Sequence, residues 1–175
     1  MTASSTAVSR VLPYLFEGSI VRGFGRGGKQ LGCPTANLDP DAVSKAPTDL
    51  VEGVYIGLAS VDNGPVHPMV TLSRRIEAIR PSRPWYGVRS FGDNISMFQE
   101  VHILHSFTSD FYGAKLRGVA LEFLRPMRAF SSMQQLIDAI QTDISETKLR
   151  HQTRSDLQQL LARYFPGTPP SSSKL

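Results

Sequence analysis

The sequence predicts a domain whose strands come first along the chain and whose helices come last, either an α+β fold or a β-barrel with helices packed on it. Up to Leu124, the 175-residue chain is dominated by runs of β-branched and aromatic residues bounded by glycine, proline and asparagine. After Arg125-Pro126 the apolar residues recur at helical spacing instead. Because strands and helices do not alternate, an alternating parallel α/β sheet is not expected.

The strand region contains five candidate strands with turn-forming or loop-forming residues between them. The second and third candidates are joined by Asp62-Asn-Gly-Pro65, which predicts a hairpin. Residues 38–52, rich in acids and prolines, are predicted to form a connecting loop, and residues 73–94, rich in arginine and proline, a long surface loop. The candidate strands are residues 15–20, 53–61, 66–72, 97–106 and 115–124.

Two amphipathic patterns predict the helices. In the first, Ser131 and Gln134 form a capping box ahead of apolar residues spaced three and four apart from Met133 to Ile144. The second pattern runs from Leu157 to Tyr164 and stops at Pro166-Gly167. We therefore expect one domain over residues 14–165, with a flexible start at 1–13 and a flexible tail at 166–175.

Composition narrows the function classes. A single cysteine, Cys33, excludes an internal disulfide and favours a reducing compartment. No apolar run approaches the ~18 residues of a membrane span, and the start of the chain lacks the blocks of a signal peptide, so we expect a soluble, intracellular protein without a membrane partner. The net charge of +4 is concentrated between Arg74 and Arg89. That stretch lacks the aromatic interleaving of a nucleic-acid platform, so nucleic acid is not an expected partner.

The glycine-rich stretch from Gly23 to Gly28 matches the pattern G-x-G-x-x-G and, with Lys29, most of the P-loop pattern. Both matches are weak, because Gln30 stands where a P-loop needs serine or threonine and because Pro34 follows too soon for a helix. Two interpretations stay open. The stretch is either a flexible turn between strands or a phosphate-binding loop in which backbone N–H groups act with the cations Arg22, Arg26 and Lys29.

Thr35 and Asn37 follow this stretch, and positions two apart in an extended segment project to the same face. A hydroxyl and a carboxamide oxygen beside a phosphate site would suit Mg²⁺, which prefers oxygen ligands. The alternative is an Asx or Thr turn after Pro34.

Glu100 is the candidate general base. Strand alternation places it on one face with His102, inside an otherwise apolar strand where a carboxylate would be partly desolvated. The alternative is a solvated pair at a strand edge. His102 and His105 face opposite ways and have no second Cys/His cluster nearby in the sequence, so a zinc site is not expected.

Taken together in order, these motifs resemble riboflavin kinase in its monofunctional eukaryotic form, from about Tyr14 to about Asp143. The motifs are Gly23-Phe-Gly-Arg-Gly-Gly-Lys-Gln-Leu-Gly32, Pro34-Thr-Ala-Asn37, Gly53-Val-Tyr55, Glu100-Val-His102, Asp110-Phe-Tyr-Gly113 and Leu124-Arg-Pro126. The family pattern is not followed after Thr71-Leu-Ser73, where the arginine-rich stretch begins. Within it, Trp85 and Tyr86 either cover the flavin ring or anchor the loop at the surface.

The resemblance implies a mainly β fold, a six-stranded antiparallel Greek-key β-barrel with C-terminal helices packed outside. It also implies transfer of the ATP γ-phosphoryl group to the ribityl 5′-hydroxyl of riboflavin, giving FMN and ADP, with Mg²⁺ as the metal and Zn²⁺ or Mn²⁺ as possible substitutes. We expect a monomer. The alternative function is a non-catalytic FMN-binding or flavin-binding barrel.

The resemblance also implies roles for individual residues. They are Glu100 as the catalytic base; Gly23, Lys29, Thr35, His102 and Tyr112 at ATP; Thr35 and Asn37 at the metal; and Arg125, Arg128 and Phe130 on the flavin side.

The sequence ends in Ser173-Lys174-Leu175, a tripeptide that the peroxisomal import receptor reads. It predicts a peroxisome or a glycosome-like microbody as the location, with the cytoplasm as the alternative.

Overall fold

The computed structural model describes residues 11–23, 33–77 and 95–168. The strands are β1 (Tyr14–Val21), β2 (Ala36–Leu38), β3 (Gly53–Val61), β4 (His67–Glu77), β5 (Ile95–Ile103) and β6 (Lys115–Pro126). The helices are α1 (Pro40–Val43), α2 (Met133–Thr153) and α3 (Leu157–Tyr164). The predictions for Lys29, for Trp85 and Tyr86, and for Ser173-Lys174-Leu175 lie outside the described residues and stay predictions.

The six strands close into an antiparallel barrel in the order β1-β2-β5-β4-β3-β6. Strands β3, β4 and β5 follow one another as antiparallel neighbours, and β6 returns to pair with β3. This spatial order of four strands is the Greek key. The predicted mainly β barrel with helices outside is therefore confirmed.

The barrel interior is filled by alternate residues of each strand. On β1, Tyr14 and Phe16 are buried while Leu15 and Glu17 are exposed, as expected for a sheet with one covered face. Strand β3 is buried along nearly its whole length because its outer face is covered as well. Its Leu58 packs with Tyr164 and Phe165, at the end of α3, on the outside of the barrel.

Several element boundaries differ from the sequence predictions. The predicted loop over 38–52 contains the short helix α1, which Asp39 caps by accepting a hydrogen bond from the Ala42 backbone N–H at 2.9 Å. Strands β4 and β5 extend beyond the predicted limits on the hairpin side, to the pair Glu77 and Ile95. Each strand supplies the other's backbone partners there, so pairing continues into residues of low strand propensity.

The predicted capping box does not form, and the N-cap of α2 is one residue further along than predicted. Ser132, not Ser131, is the N-cap, and its side chain accepts from the Gln135 backbone N–H at 3.2 Å. Because two serines and two glutamines stand next to each other in the sequence, the capping pattern fits either of two registers. The packed helix adopts the later one. Gln135 instead reaches back to Ser131, whose backbone N–H and hydroxyl donate to Oε1 at 3.2 and 3.0 Å.

Helix α2 lies against β4 and is joined to β6 by ion pairs at two levels, Arg125 with Asp143 and Glu122 with Arg150 and Arg154. At the other end of the chain, Val11 and Leu12 pack against the barrel core. Among the described helices, none combines the length and the apolar character needed to cross a membrane.

Candidate functional site

The predicted site residues of the first half of the chain meet where β1, β2 and β5 lie side by side. Asn37 pairs with Val21 on one side and with Glu100 on the other. Ala36 and Val101 point into the barrel and are buried, so Asn37 and Glu100 face outward. We call this outward surface, formed by Gly23, Thr35, Asn37, Glu100, His102 and Tyr112, the rim.

The Asn37 carboxamide has an unusual environment. Its Oδ1 is buried and accepts no hydrogen bond from any described group. Gly23 lies directly against the same carboxamide, and an added Cβ there would overlap its nitrogen. The glycine is thus explained by close approach of the backbone to Asn37.

A buried acceptor without a donor is costly unless a ligand satisfies it. Thr35, two residues earlier and exposed, adds a hydroxyl on the same side of the strand. These neutral oxygens fit Mg²⁺, which binds few protein oxygens and completes its shell with water and phosphate. No group of three His, Cys, Asp or Glu side chains in the described residues could hold a metal instead.

Two contacts hold Glu100 and His102 in place. The buried hydroxyl of Thr71 donates to the Glu100 backbone carbonyl at 3.1 Å. His102 Nδ1 lies 2.8 Å from the Pro34 carbonyl oxygen, directly before Thr35. Since a carbonyl can only accept, Nδ1 carries a proton in this contact, and Nε2 is the ring nitrogen that faces away from Pro34.

Tyr112 reaches the rim because its turn is bonded to the end of β1. The Gly113 N–H donates to the Ile20 carbonyl at 2.8 Å, and the Ile20 N–H donates to the Ala114 carbonyl at 2.9 Å. The Arg22 guanidinium lies over the Tyr112 ring, 5.0 Å from its centroid. Tyr112 is 48% exposed, so its ring keeps surface open to solvent next to Arg22, the residue before Gly23.

The predicted flavin-side residues lie at the far end of β6 and in the segment that follows. Arg128 stacks over the Phe130 ring at 5.0 Å. A groove of about 370 Å³ separates these two residues from helix α2. Its lining is Arg128, Ala129 and Phe130 on one side and Gln135, Asp138, Ala139 and Thr142 on the helix side. We call it the α2 groove.

Arg125 is placed differently from Arg128 and Phe130. Its Nε and Nη2 donate to the two carboxylate oxygens of Asp143, at 2.8 and 2.7 Å. Sequence reasoning missed Asp143. A sequence signal for Asp143 was available. Positions 136, 137 and 140 form an apolar stripe at helical spacing, and Asp143 is an acidic residue at the next position of that stripe.

The rim and the α2 groove lie on the same side of the barrel wall. Glu100 pairs with Leu72, Leu72 with Val54, and Val54 with Arg125. Three strand spacings separate Glu100 from Arg125, roughly 14 Å. Helix α2 also reaches the rim, since Gln141 Nε2 lies 3.9 Å from the buried Cys33 Sγ, two residues before Thr35.

Comparisons with known proteins identify the family and the fold. The riboflavin kinase (flavokinase) family model matches residues 11–151. The riboflavin kinase of Homo sapiens is 43% identical over 141 residues, which is 81% of this chain and 83% of the human protein. That of Mus musculus is 42% identical over 139 residues, 79% of this chain and 81% of the mouse protein.

Among solved structures, riboflavin kinase from Trypanosoma brucei superposes with a TM-score of 0.60 and covers 92% of each chain at 24% identity, which shows the fold. Family match, identity over most of both chains, and the barrel lead to one conclusion. The chain belongs to the riboflavin kinase family.

Proposed function

We propose that this protein transfers the γ-phosphoryl group of ATP to the ribityl 5′-hydroxyl of riboflavin, giving FMN and ADP. The observation that carries the proposal is the rim itself, where a buried oxygen of Asn37, without a hydrogen-bond partner among the described residues, stands beside Glu100 and against the backbone of Gly23. Phosphoryl transfer requires mainly positioning and charge neutralisation, together with a base for the attacking hydroxyl.

Thr35 and Asn37 are the residues proposed to hold Mg²⁺. The metal would neutralise charge on the ATP phosphates when bound. In the protein itself, Asn37 is held between two strands and against Gly23. Its oxygen is therefore pre-positioned and does not have to be ordered when substrate arrives.

Glu100 is the proposed general base. It accepts the proton of the ribityl hydroxyl as the oxygen attacks phosphorus, a contribution on the order of 10²- to 10⁴-fold in rate. The Thr71 hydroxyl holds the Glu100 backbone from inside the barrel, which limits how far the carboxylate can drift from the reacting atoms.

On the nucleotide side, Gly23, His102 and Tyr112 are proposed to bind ATP together with Lys29. The exposed Tyr112 ring offers an aromatic face, and the Pro34 contact orients the His102 ring. On the flavin side, the stacked pair Arg128 and Phe130 lines the α2 groove. An aromatic ring beside a cation suits the flat, polar-edged flavin.

The test is incubation of the purified protein with riboflavin, ATP and Mg²⁺, with FMN and ADP followed by chromatography. We expect equal amounts of FMN and ADP. For the variant Glu100→Gln, titration with ATP should show that ATP binding is retained. Its turnover should be lower by at least about 100-fold. Glu17→Gln, which removes an exposed strand carboxylate paired with Lys115, is the matched control and should keep full turnover.

Folded protein that binds FMN but forms no ADP would refute the kinase proposal and favour the non-catalytic flavin-binding barrel. Full turnover by Glu100→Gln would instead refute Glu100 as the base while leaving the kinase activity in place.

A further inference from the structure

The segment over residues 127–130, which carries Arg128 and Phe130, is held to helix α2 at both of its ends. Before it, the Arg125 guanidinium makes the two-bond contact with Asp143 and also donates through Nη1 to the Pro126 carbonyl at 3.2 Å. After it, Ser131 donates twice to the Gln135 side chain. Two anchors on the same helix therefore define where this segment runs.

The two anchors flank the α2 groove. Gln135, Asp138, Ala139 and Thr142 stand at positions i, i+3, i+4 and i+7 of the helix, which places them on one face, and all four line the groove. Asp143 directly follows the last of them, and Gln135 is the first. The width of the groove between Phe130 and the helix is thus set at one end by Gln135 and at the other by Asp143.

The contact between Arg125 and Asp143 favours a fixed position of the guanidinium over exchange to another partner. The Asp143 side chain is 8% exposed and that of Arg125 21% exposed, so both charges are largely removed from water. A bidentate guanidinium–carboxylate contact fixes the mutual orientation of its partners. If Arg125 turned away toward a ligand, a buried carboxylate would be left unpaired, which is strongly unfavourable.

Asp143 is also tied into its own helix. The Thr147 hydroxyl donates to the Asp143 backbone carbonyl at 2.7 Å, and Thr147 is itself buried. The carboxylate therefore presents a rigid support to Arg125 on the last turn of the groove.

We propose that Asp143 is a positioning residue for the flavin substrate, which acts through Arg125 to hold residues 127–130 at the spacing from helix α2 that the flavin ring requires. The inference rests on the proposed kinase function and adds to it a residue that touches neither substrate. It predicts an effect on riboflavin binding and not on ATP binding or on the chemical step.

A matched control exists in the same pair of elements. Glu122, also on β6, accepts from Arg150 at 2.9 Å and from Arg154 at 2.6 Å, at the C-terminal end of α2. This contact joins the same strand to the same helix, but its residues do not line the α2 groove. A merely structural role in docking the helix would be shared by both ion pairs, whereas a positioning role for flavin belongs to Asp143 alone.

The experiment compares Asp143→Asn and Glu122→Gln with the unaltered full-length protein. Steady-state kinetics would be measured with riboflavin and with ATP as the varied substrate, and flavin binding by quenching of riboflavin fluorescence. For Asp143→Asn we expect the riboflavin KM and Kd to rise on the order of tenfold, with kcat and the ATP KM within about twofold of their original values. For Glu122→Gln we expect no change in either riboflavin constant.

Arg125→Lys, which keeps the charge but loses the two-bond geometry, is the second variant and covers the case in which Asp143→Asn does not fold. Because the two residues act as one unit, the double variant should be no worse than the more affected single variant. An unchanged riboflavin KM in folded Asp143→Asn overturns the inference, and so does an equal rise in Glu122→Gln. Absence of FMN formation by the unaltered protein refutes the kinase proposal instead, and the fluorescence binding assay still tests the positioning role.

Discussion

The rim and the α2 groove are assembled in different ways. The rim is placed by backbone pairing, since Asn37 and Glu100 are direct register partners and Gly23 touches Asn37 through its backbone. The groove is placed by side chains, through the contact of Arg125 with Asp143 and that of Ser131 with Gln135. The rim is therefore as rigid as the barrel, whereas the α2 groove depends on a few polar contacts to a helix outside the barrel.

The largest effect should follow from disturbing the rim at Gly23. In Gly23→Ala the added Cβ overlaps the Asn37 carboxamide, so either the strand end or Asn37 must move. A displacement near 1 Å at a reacting centre costs on the order of 100-fold in rate. We expect kcat to fall by about that factor while the riboflavin KM changes little.

Gly64→Ala places an added Cβ 2.9 Å from the Val61 carbonyl oxygen in the loop after β3, away from the rim, and is the control for a general effect of a strained glycine replacement on stability. Retention of full kcat by Gly23→Ala would show that the rim tolerates movement, and the proposed contrast in rigidity would be wrong.

A smaller and different effect should follow from disturbing the groove at Phe130. In Phe130→Ala the ring that lines the α2 groove is lost, and with it the proposed contact to the flavin ring. An aromatic pair is worth about 1 kcal/mol, which is somewhat less than a tenfold change in affinity. The riboflavin KM should rise several-fold with the ATP KM unchanged. Leu15→Ala, which truncates an exposed apolar side chain on β1, should leave both constants unchanged; a change in the ATP KM of Phe130→Ala would contradict the separation of the two regions.

The smallest effect concerns the barrel that carries both regions, and it appears as a pH dependence of stability. Burial, followed by the charge of the neighbouring His105, lowers the pKa of His67 from 6.5 to about 4. His67 is buried, and the two imidazole rings stack at 4.0 Å. Below pH 6.5 His67 therefore binds a proton in the unfolded chain but not in the folded protein. The free energy of unfolding falls as the pH falls toward 4.

Between pH 7.5 and 6 the loss should be about 1 kcal/mol, measured by urea unfolding. His67→Gln should flatten this part of the profile whatever its own stability. An unchanged slope in that variant would mean that another group is responsible. Since both regions stand on the same barrel, we expect the change in stability to affect the whole protein. The kinetic constants of the folded protein should therefore not change for one region alone.

Much of the fold could be predicted from the sequence because the strands and the long helix are periodic over many residues. The run over 53–61 and its turn at Asp62-Asn63 are an example, and both turn residues adopt the positive φ that this hairpin requires. Helix α1 was missed because four residues are too few to show a period. Its stability comes from the Asp39 cap, for which Asp39-Pro40 is a local signal, and from packing of Ala42 against Gly18, which no local pattern reveals.

The sequence by itself determined that the strands precede the helices and which motifs mark the rim, because alternation, helical spacing and short motifs are local properties of the chain. The barrel was implied by the family resemblance that those motifs carry. Tertiary structure alone decided that Asn37 and Glu100 are neighbours on adjacent strands, that the Arg125 guanidinium pairs with Asp143, and which serine caps α2. The physical reason is that strand register and helix docking depend on contacts between residues far apart in the chain, which are chosen when the core packs.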